Sequence, residues 1–228
     1  MKNSPQANEP LPSGADVVAF QQTCLARPDW PGDAGVQSSQ EAALWQWIEA
    51  NHRFNSLLWA EEDLARRTQV SDAEIARNKR NIDRYNQARN DATERVDELL
   101  LVALGLVARD SAAGDAPVST QARDARLNSE TAGSMIDRMS IMALKVYAMR
   151  LQTRRDDVDE AHRKASQVKL ERLLEQRDDL GRCLDRLLAD AQAGRAYFKV
   201  YRQFKMYNDA RFNPVLVAEA AATRPATE

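Results

Sequence analysis

The sequence predicts an all-α protein, an antiparallel bundle of about five helices with a disordered N-terminal arm. Three observations carry this. Apolar residues recur at helical spacing through most of residues 39–193. Gly and Pro number only eight each in 228 residues, and most of the Pro sits at the two ends. No stretch alternates apolar and polar residues as a half-buried strand would. Long amphipathic stretches joined by short turns give a helical bundle.

Residues 1–38 are rich in Pro, Gly, Ser, Gln and Asp, with Phe20 and Trp30 as their aromatics, and read as a mobile arm that docks locally at most. The helical domain follows over 39–216, with a tail at 217–228. Its first helix spans 39–67 and is broken by "QVSDAE". Ser71 or Asp72 caps the second, which runs to about residue 107 with Glu74 in its first turn. "RDSAAGDAPVST" is a loop. A third helix starts near Ser134 and ends near Arg154. A fourth, over 159–193, carries Leu170, Leu173, Leu180, Leu184 and Leu187 on one face, and Gly194 ends it. "RAYFKVYRQFKMYND" reads as a short fifth helix stopped by Asn213-Pro214.

Apolar residues make up 43% of the chain and charged ones 29%, a composition that fits one soluble globular domain. A formal charge of −2 supplies no general attraction for nucleic acid or anionic membrane. No apolar run has the length of a membrane span, and the start has no signal-peptide core. Cys24 and Cys183 are too few for a disulfide framework or a zinc module. The expectation is a reduced, cytoplasmic protein.

What sets this bundle apart is the polarity of its inward faces. At 100° per residue, Leu44, Ile48, Asn51, Trp59, Glu62 and Arg66 all fall within about 40° of Asn55. Around Asn86 fall Ile75, Lys79, Ile82, Asn90, Thr93, Asp97 and Leu100, with Arg89 at the edge. In the third helix Asp137 shares a face with Ile141, Leu144, Ala148 and Leu151, bordered by Ser140. In the fifth, Asn208 continues the stripe of Tyr197, Tyr201 and Phe204. An unpaired buried polar group costs about 1–3 kcal/mol, against a total stability of about 5–15 kcal/mol. These groups therefore satisfy one another or line a pocket, and the sequence supports both readings.

A hairpin turn centred near residue 70 puts Glu62 opposite Lys79, Asn55 opposite Asn86, and Asn51 opposite Arg89 and Asn90. Glu62–Lys79 reads as a structural pair. The Asn layer with Arg89 is harder to satisfy internally, because a guanidinium demands an anion. Leu57, Glu61 and Arg67 point to the outer surface. His52 flanks the inward face and reads as a solvated or helix-bonded residue rather than a base. Ser134 and Asp137 have the spacing of a capping box, and "NSETAGS" can alternatively present helix N–H groups to a phosphate. There is no GxGxxG, P-loop, HExxH, CxxC or GxSxG, and no cofactor is implied.

The segments "NHRFNSLLWAEEDLARR", "IDRYNQARNDATERVD", "LNSETAGSMIDRMSIMALKVYAM", "EQRDDLGRCLDRLL" and "YRQFKMYNDARFNP" together resemble a bacterial domain family of unknown function, the one numbered four-two-five-four. A second such family, numbered six-one-six-five, has similar elements matched here at Asn55, Leu58, Trp59, Glu62, Asp63 and Arg66, and at Asp137, Arg138, Ile141 and Lys145. Ala132, Met139 and Ala148 stand where the first family usually has Pro, Leu and His. The resemblance implies no reaction. It implies proximity to glycosyltransferases of lipopolysaccharide and other surface glycans, hence a role in handling a sugar, sugar phosphate or nucleotide sugar.

Three functions follow as expectations. In the first, the bundle binds an anionic glycan precursor or supports a glycosyltransferase. Arg66, Arg89 and Lys145 then meet phosphate, Asn51, Asn55, Asn86 and Asn90 read hydroxyls, Glu62 or Asp137 orients them, and Trp59 and Asn208 complete the site. In the second, "AEEDLARR" and Glu94/Asp97 hold Mg²⁺ as in all-α nucleotide pyrophosphohydrolases, although an extended hairpin separates Glu62 from Asp97 by roughly 28 Å. In the third, the polar layers only enforce register. Long helices and four Trp also allow a homodimer.

Overall fold

The computed structural model describes residues 10–32, 43–112, 114–117, 119–203 and 210–222. Its elements are α1 (Gly14–Leu25), α2 (Leu44–Leu64), α3 (Asp72–Ala103), the single turn α4 (Arg109–Ala112), β1 (Arg126–Leu127), α5 (Ala132–Thr153), α6 (Glu160–Gln192), β2 (Ala196–Tyr197) and α7 (Pro214–Ala222). The protein is an all-α bundle built on two long hairpins, α2–α3 and α5–α6.

Local sequence explains the helix ends. Ser71 caps α3, its hydroxyl accepting from the Glu74 amide while the Glu74 carboxylate accepts from the Ser71 amide. Asp159 caps α6 through the His162 amide. Gly194, at φ 70°, ends α6 in the left-handed region that other residues avoid. α5 starts earlier than expected. Its cap is Thr131, which accepts from the Ser134 amide, so Ser134 and Asp137 do not form the capping box.

The two hairpins lie side by side with their tips at the same end. Gly133 of α5 meets Thr93 and Asp97 of α3, and further along α5 Asp137 lies by Arg89. Thus α5 runs antiparallel to α3 and parallel to α2. At the base, Ile48, Leu100, Leu101, Ile136, Leu184 and Phe198 form a sealed core. Toward the tips polar side chains join the apolar ones on the facing surfaces, and a cleft opens between the hairpins.

Two expectations change here. Within the segment read as an arm, Gly14–Leu25 is a helix with a Ser13–Asp16 capping box. It buries Val17, Gln21 and Cys24, and its Gly14 amide donates to Asp185 Oδ1 at 2.6 Å. Trp30 stacks on His52 at 5.2 Å between ring centres and donates to Ser56 Oγ at 3.0 Å, tying the following turn to α2. Spacing of buried residues by four and three is an ordinary helical face, masked in sequence by the Pro/Gly-rich flanks.

The second correction concerns the fifth helix. Residues 195–203 form no helix: β2 pairs parallel to β1, Arg126 opposite Ala196 and Leu127 opposite Tyr197, and residues 204–209 of the expected helix, Phe204 among them, lie outside the described residues. Ala196 and Phe198 are buried while Lys199 and Tyr201 are exposed, a period of two rather than 3.6. Arg202 anchors this strap, donating to Glu94 at 3.0 Å and Glu98 at 2.5 Å. Pro214 opens α7 instead of stopping a helix, with Asn213 Oδ1 accepting from the Val215 amide.

Candidate functional site

The diverging hairpins enclose a cleft of about 430 Å³, lined by Asn55, Leu58, Trp59, Glu62, Asp63 and Arg66 of α2, Ile82, Asn86 and Arg89 of α3, and Ile141 and Leu144 of α5. The i, i+3/i+4 spacing of α2 explains its share, because Asn55, Trp59, Glu62 and Arg66 climb one face toward the tip. The structure thus brings together six of the residues singled out from sequence: Asn55, Trp59, Glu62, Arg66, Asn86 and Arg89.

Beneath the cleft lies a hydrogen-bonded floor. Asn51 and Asn55 each donate to Asp137 Oδ1 at 2.8 Å. Asn51 also donates to Thr93 Oγ1 at 3.0 Å, and Asn55 to Ser140 Oγ at 3.0 Å. Arg89 approaches the same carboxylate oxygen, its Nε 3.9 Å away, and donates from Nη2 to Asn90 Oδ1 at 2.9 Å. The Arg89 Nε is buried without a hydrogen-bond partner among the described residues. Arg89 is therefore aligned by an anion it does not fully engage, a slack pairing that leaves its charge available.

The floor continues to a sealed histidine. His52 is fully buried. Its Nε2 lies 3.2 Å from the Gln21 carbonyl, which only accepts, so Nε2 carries the proton. Nδ1 then accepts from the Ser140 hydroxyl at 2.7 Å. Burial pushes the imidazole down to about 4, which keeps it neutral. His52 is neither solvated nor a base facing the cleft; it fixes the direction of the Ser140 hydroxyl.

At the mouth the charges are exposed. Arg66 lies 3.4 Å from Glu62 and 3.8 Å from Asp63. Such surface pairs add little stability and rearrange easily. Trp59 is 36% exposed. The Asn86 side chain makes no hydrogen bond among the described residues, so its amide is uncommitted.

Other expected residues lie elsewhere. Asn90 is buried one turn along α3 from Asn86, outside the cleft lining, and donates to Gln203 Oε1 at 2.8 Å. Lys145 is exposed and does not line the cleft. Asn208 lies outside the described residues. Asn51 and Asp137 belong to the floor and not to the lining. The Glu62–Lys79 pair does not form, since Lys79 pairs with Asp83 one turn along its own helix. Glu61, expected on the outer surface, is the residue that bridges the hairpin, accepting from Asn78 at 2.6 Å and Asn81 at 2.9 Å. Arg67 also turns toward α3, donating to Asn78 Oδ1 at 3.4 Å.

The helix start read as a phosphate site is occupied from within. Asp97 Oδ1 accepts from the Gly133 amide at 2.6 Å, placing a carboxylate on the N-terminus of α5. Burial pushes Asp97 up to about 7 against the donors from Thr131 and Gly133. Glu94 is held by Arg202. Neither Glu94 nor Asp97 lines the cleft, and among the described residues no three His, Cys, Asp or Glu side chains group as a metal site.

The aliphatic wall of Leu58, Ile82, Ile141 and Leu144 was not selected from sequence as part of a site. Its signal was present, because Ile82 and Ile141 share helical faces with Asn86 and Asp137, but aliphatic residues on an inward face read first as core. No described helix is long and apolar enough to cross a membrane. No curated protein and no solved structure matches the chain significantly. A family model described as "Protein of unknown function (DUF4254)" matches residues 45–200, from α2 to the strap and including every cleft-lining residue, and the chain belongs to that family.

Proposed function

We propose that the cleft binds an anionic sugar precursor, a sugar phosphate or the sugar-phosphate part of a nucleotide sugar, in support of cytoplasmic lipopolysaccharide or other surface-glycan assembly. One observation carries the chemical part: an aromatic face, two amides, two carboxylates and two guanidinium groups converge on a single open cleft of ligand size. Trp59 offers a platform for a sugar ring. Asn55, Asn86, Glu62 and Asp63 offer partners for hydroxyls. Arg89, loosely held by Asp137, and Arg66 at the mouth meet the phosphate. The link to surface glycans, and a glycosyltransferase as partner, rest on the family resemblance alone.

Calorimetric titration of the purified protein with hexose 1-phosphates and nucleotide sugars tests the proposal. Saturable binding is expected, weakened at least tenfold in Trp59→Ala and Arg66→Ala, whose exposed positions leave folding intact. Absence of heat with all such ligands overturns it. The magnesium-hydrolase reading gains no support from this geometry, because Glu94 and Asp97 are engaged away from Glu62.

A further inference from the structure

Resting on the sugar reading above, we propose that the cleft selects a 2-acetamido sugar, reading the acetamido group with Asn55 and Asn86 and seating its methyl on the aliphatic wall.

The direction of the Asn55 amide carries the first step. Both Nδ2 hydrogens are consumed inward, by Asp137 Oδ1 at 2.8 Å and Ser140 Oγ at 3.0 Å. A carboxylate only accepts, so the nitrogen stands on that side. The Ser140 hydroxyl proton is committed to His52 Nδ1, so Ser140 also can only accept from Asn55. The amide is thus fixed from two directions. Its Oδ1 takes no proton from the described residues and is not among the sealed, unpartnered atoms, so it is the part of Asn55 that faces the cleft. The floor therefore presents an acceptor, which asks for an N–H or O–H donor on the ligand.

Asn86 supplies the complement from α3. Its amide is uncommitted, lines the same cleft, and donates to a carbonyl. A ligand amide satisfies both, its N–H on Asn55 and its C=O on Asn86.

The wall decides between an amide and a bare hydroxyl. Leu58, Ile82, Ile141 and Leu144 make up four of the eleven lining residues. A hydroxyl pressed against them loses water and gains no partner, whereas an acetyl methyl gains apolar burial. Trp59 remains for the pyranose face and Arg89 for the anomeric phosphate.

The test titrates the full chain with N-acetylglucosamine 1-phosphate, glucosamine 1-phosphate, glucose 1-phosphate and uridine monophosphate. The acetamido sugar is expected to bind at least tenfold more tightly than the other three. Asn86→Leu is expected to remove that advantage, bringing the affinities for N-acetylglucosamine 1-phosphate and glucose 1-phosphate within twofold of each other. Equal affinity for the three sugars, or uridine monophosphate binding as tightly as the acetamido sugar, overturns this selectivity and leaves a sugar or nucleotide site standing. An Asn86→Leu protein that keeps the full advantage also overturns it. No binding by any probe removes the parent reading and this one together.

Discussion

Asn51 and Asn55, one helical turn apart on α2, both donate to the same oxygen of Asp137, each at 2.8 Å. This triangle joins the two hairpins at the depth where the apolar core gives way to the cleft. Asp137→Ala leaves two amides and the neighbouring Arg89 without their acceptor. Loss of about 2–4 kcal/mol is expected in urea unfolding. Asp137→Asn, which keeps one accepting oxygen, is expected to lose about half as much. Equal stability in all three proteins is the contrary result.

How far the sequence reached can be judged around this triangle. Helical periodicity placed Asn51, Asn55 and Asp137 on inward faces, and the hairpin turn near residue 70 put Asn55 and Asn86 on the same cleft. The Ser71 cap marked the start of α3. Which amide meets which carboxylate depends on how two hairpins rotate against each other, and no local pattern encodes that. Hence Thr93, Ser140 and His52 could not be assigned as partners from spacing. The Glu61 bridge was misplaced because both Glu61 and Glu62 lie near the hairpin seam, and about 100° of rotation decides between them. The strap was misread because Tyr197 and Tyr201 imitate a helical stripe, whereas the buried residue is Phe198 between them.

The strap offers a direct check. Phe198 is fully buried and packs in the core, while Arg202 ties the same segment to α3. Phe198→Ala is expected to cost about 3–5 kcal/mol. Were the segment a surface helix, the cost would stay below about 1 kcal/mol. Thermal unfolding with urea titration distinguishes the two.

Gly133 sets the approach of α5 to α3. A Cβ there would stand 2.6 Å from the Thr93 carbonyl oxygen and 2.9 Å from the Asp97 carboxylate. Backbone cannot yield as a side-chain tip does. Gly133→Ala is expected to destabilise by about 1–3 kcal/mol despite the better helix propensity of Ala. Because α5 carries Asp137 and the Ile141–Leu144 wall, the same variant is expected to weaken ligand binding. An unchanged melting temperature would contradict the contact.

Two buried groups give opposite pH dependences. Asp97 moves from an ordinary 3.8 to about 7 through burial, aided by the charges of Glu94 and Glu98 and opposed by donors from Thr131 and Gly133. Between about pH 4 and 7 the folded protein holds a proton there that the unfolded chain has released, so stability falls as pH rises. His52 moves from 6.5 to about 4. Between those values the unfolded chain binds the proton that the folded protein excludes, so stability falls as pH drops. The full swing is on the order of 4 kcal/mol for Asp97 and roughly 3 kcal/mol for His52. Relative to the parent, Asp97→Asn should gain stability from pH 5 to 7.5, and His52→Gln should gain from pH 6.5 to 4.5. Parallel pH curves for parent and variants would refute both assignments.

The final prediction separates charge from geometry at the cleft. Arg89 is held by Asn90 and, loosely, by Asp137, which orients its planar fork toward the lining. Lysine keeps the charge but not the fork. Arg89→Lys preserves a cation beside Asp137, so its melting temperature is expected to stay within about 3 °C of the parent, equivalent to less than about 1 kcal/mol. A phosphate read by two parallel hydrogen bonds loses one of them, and affinity for a sugar 1-phosphate is expected to fall about tenfold, or roughly 1.4 kcal/mol. The unphosphorylated sugar should bind parent and variant alike. A uniform loss for both ligands would mean that Arg89 supports the cleft wall and does not contact the phosphate.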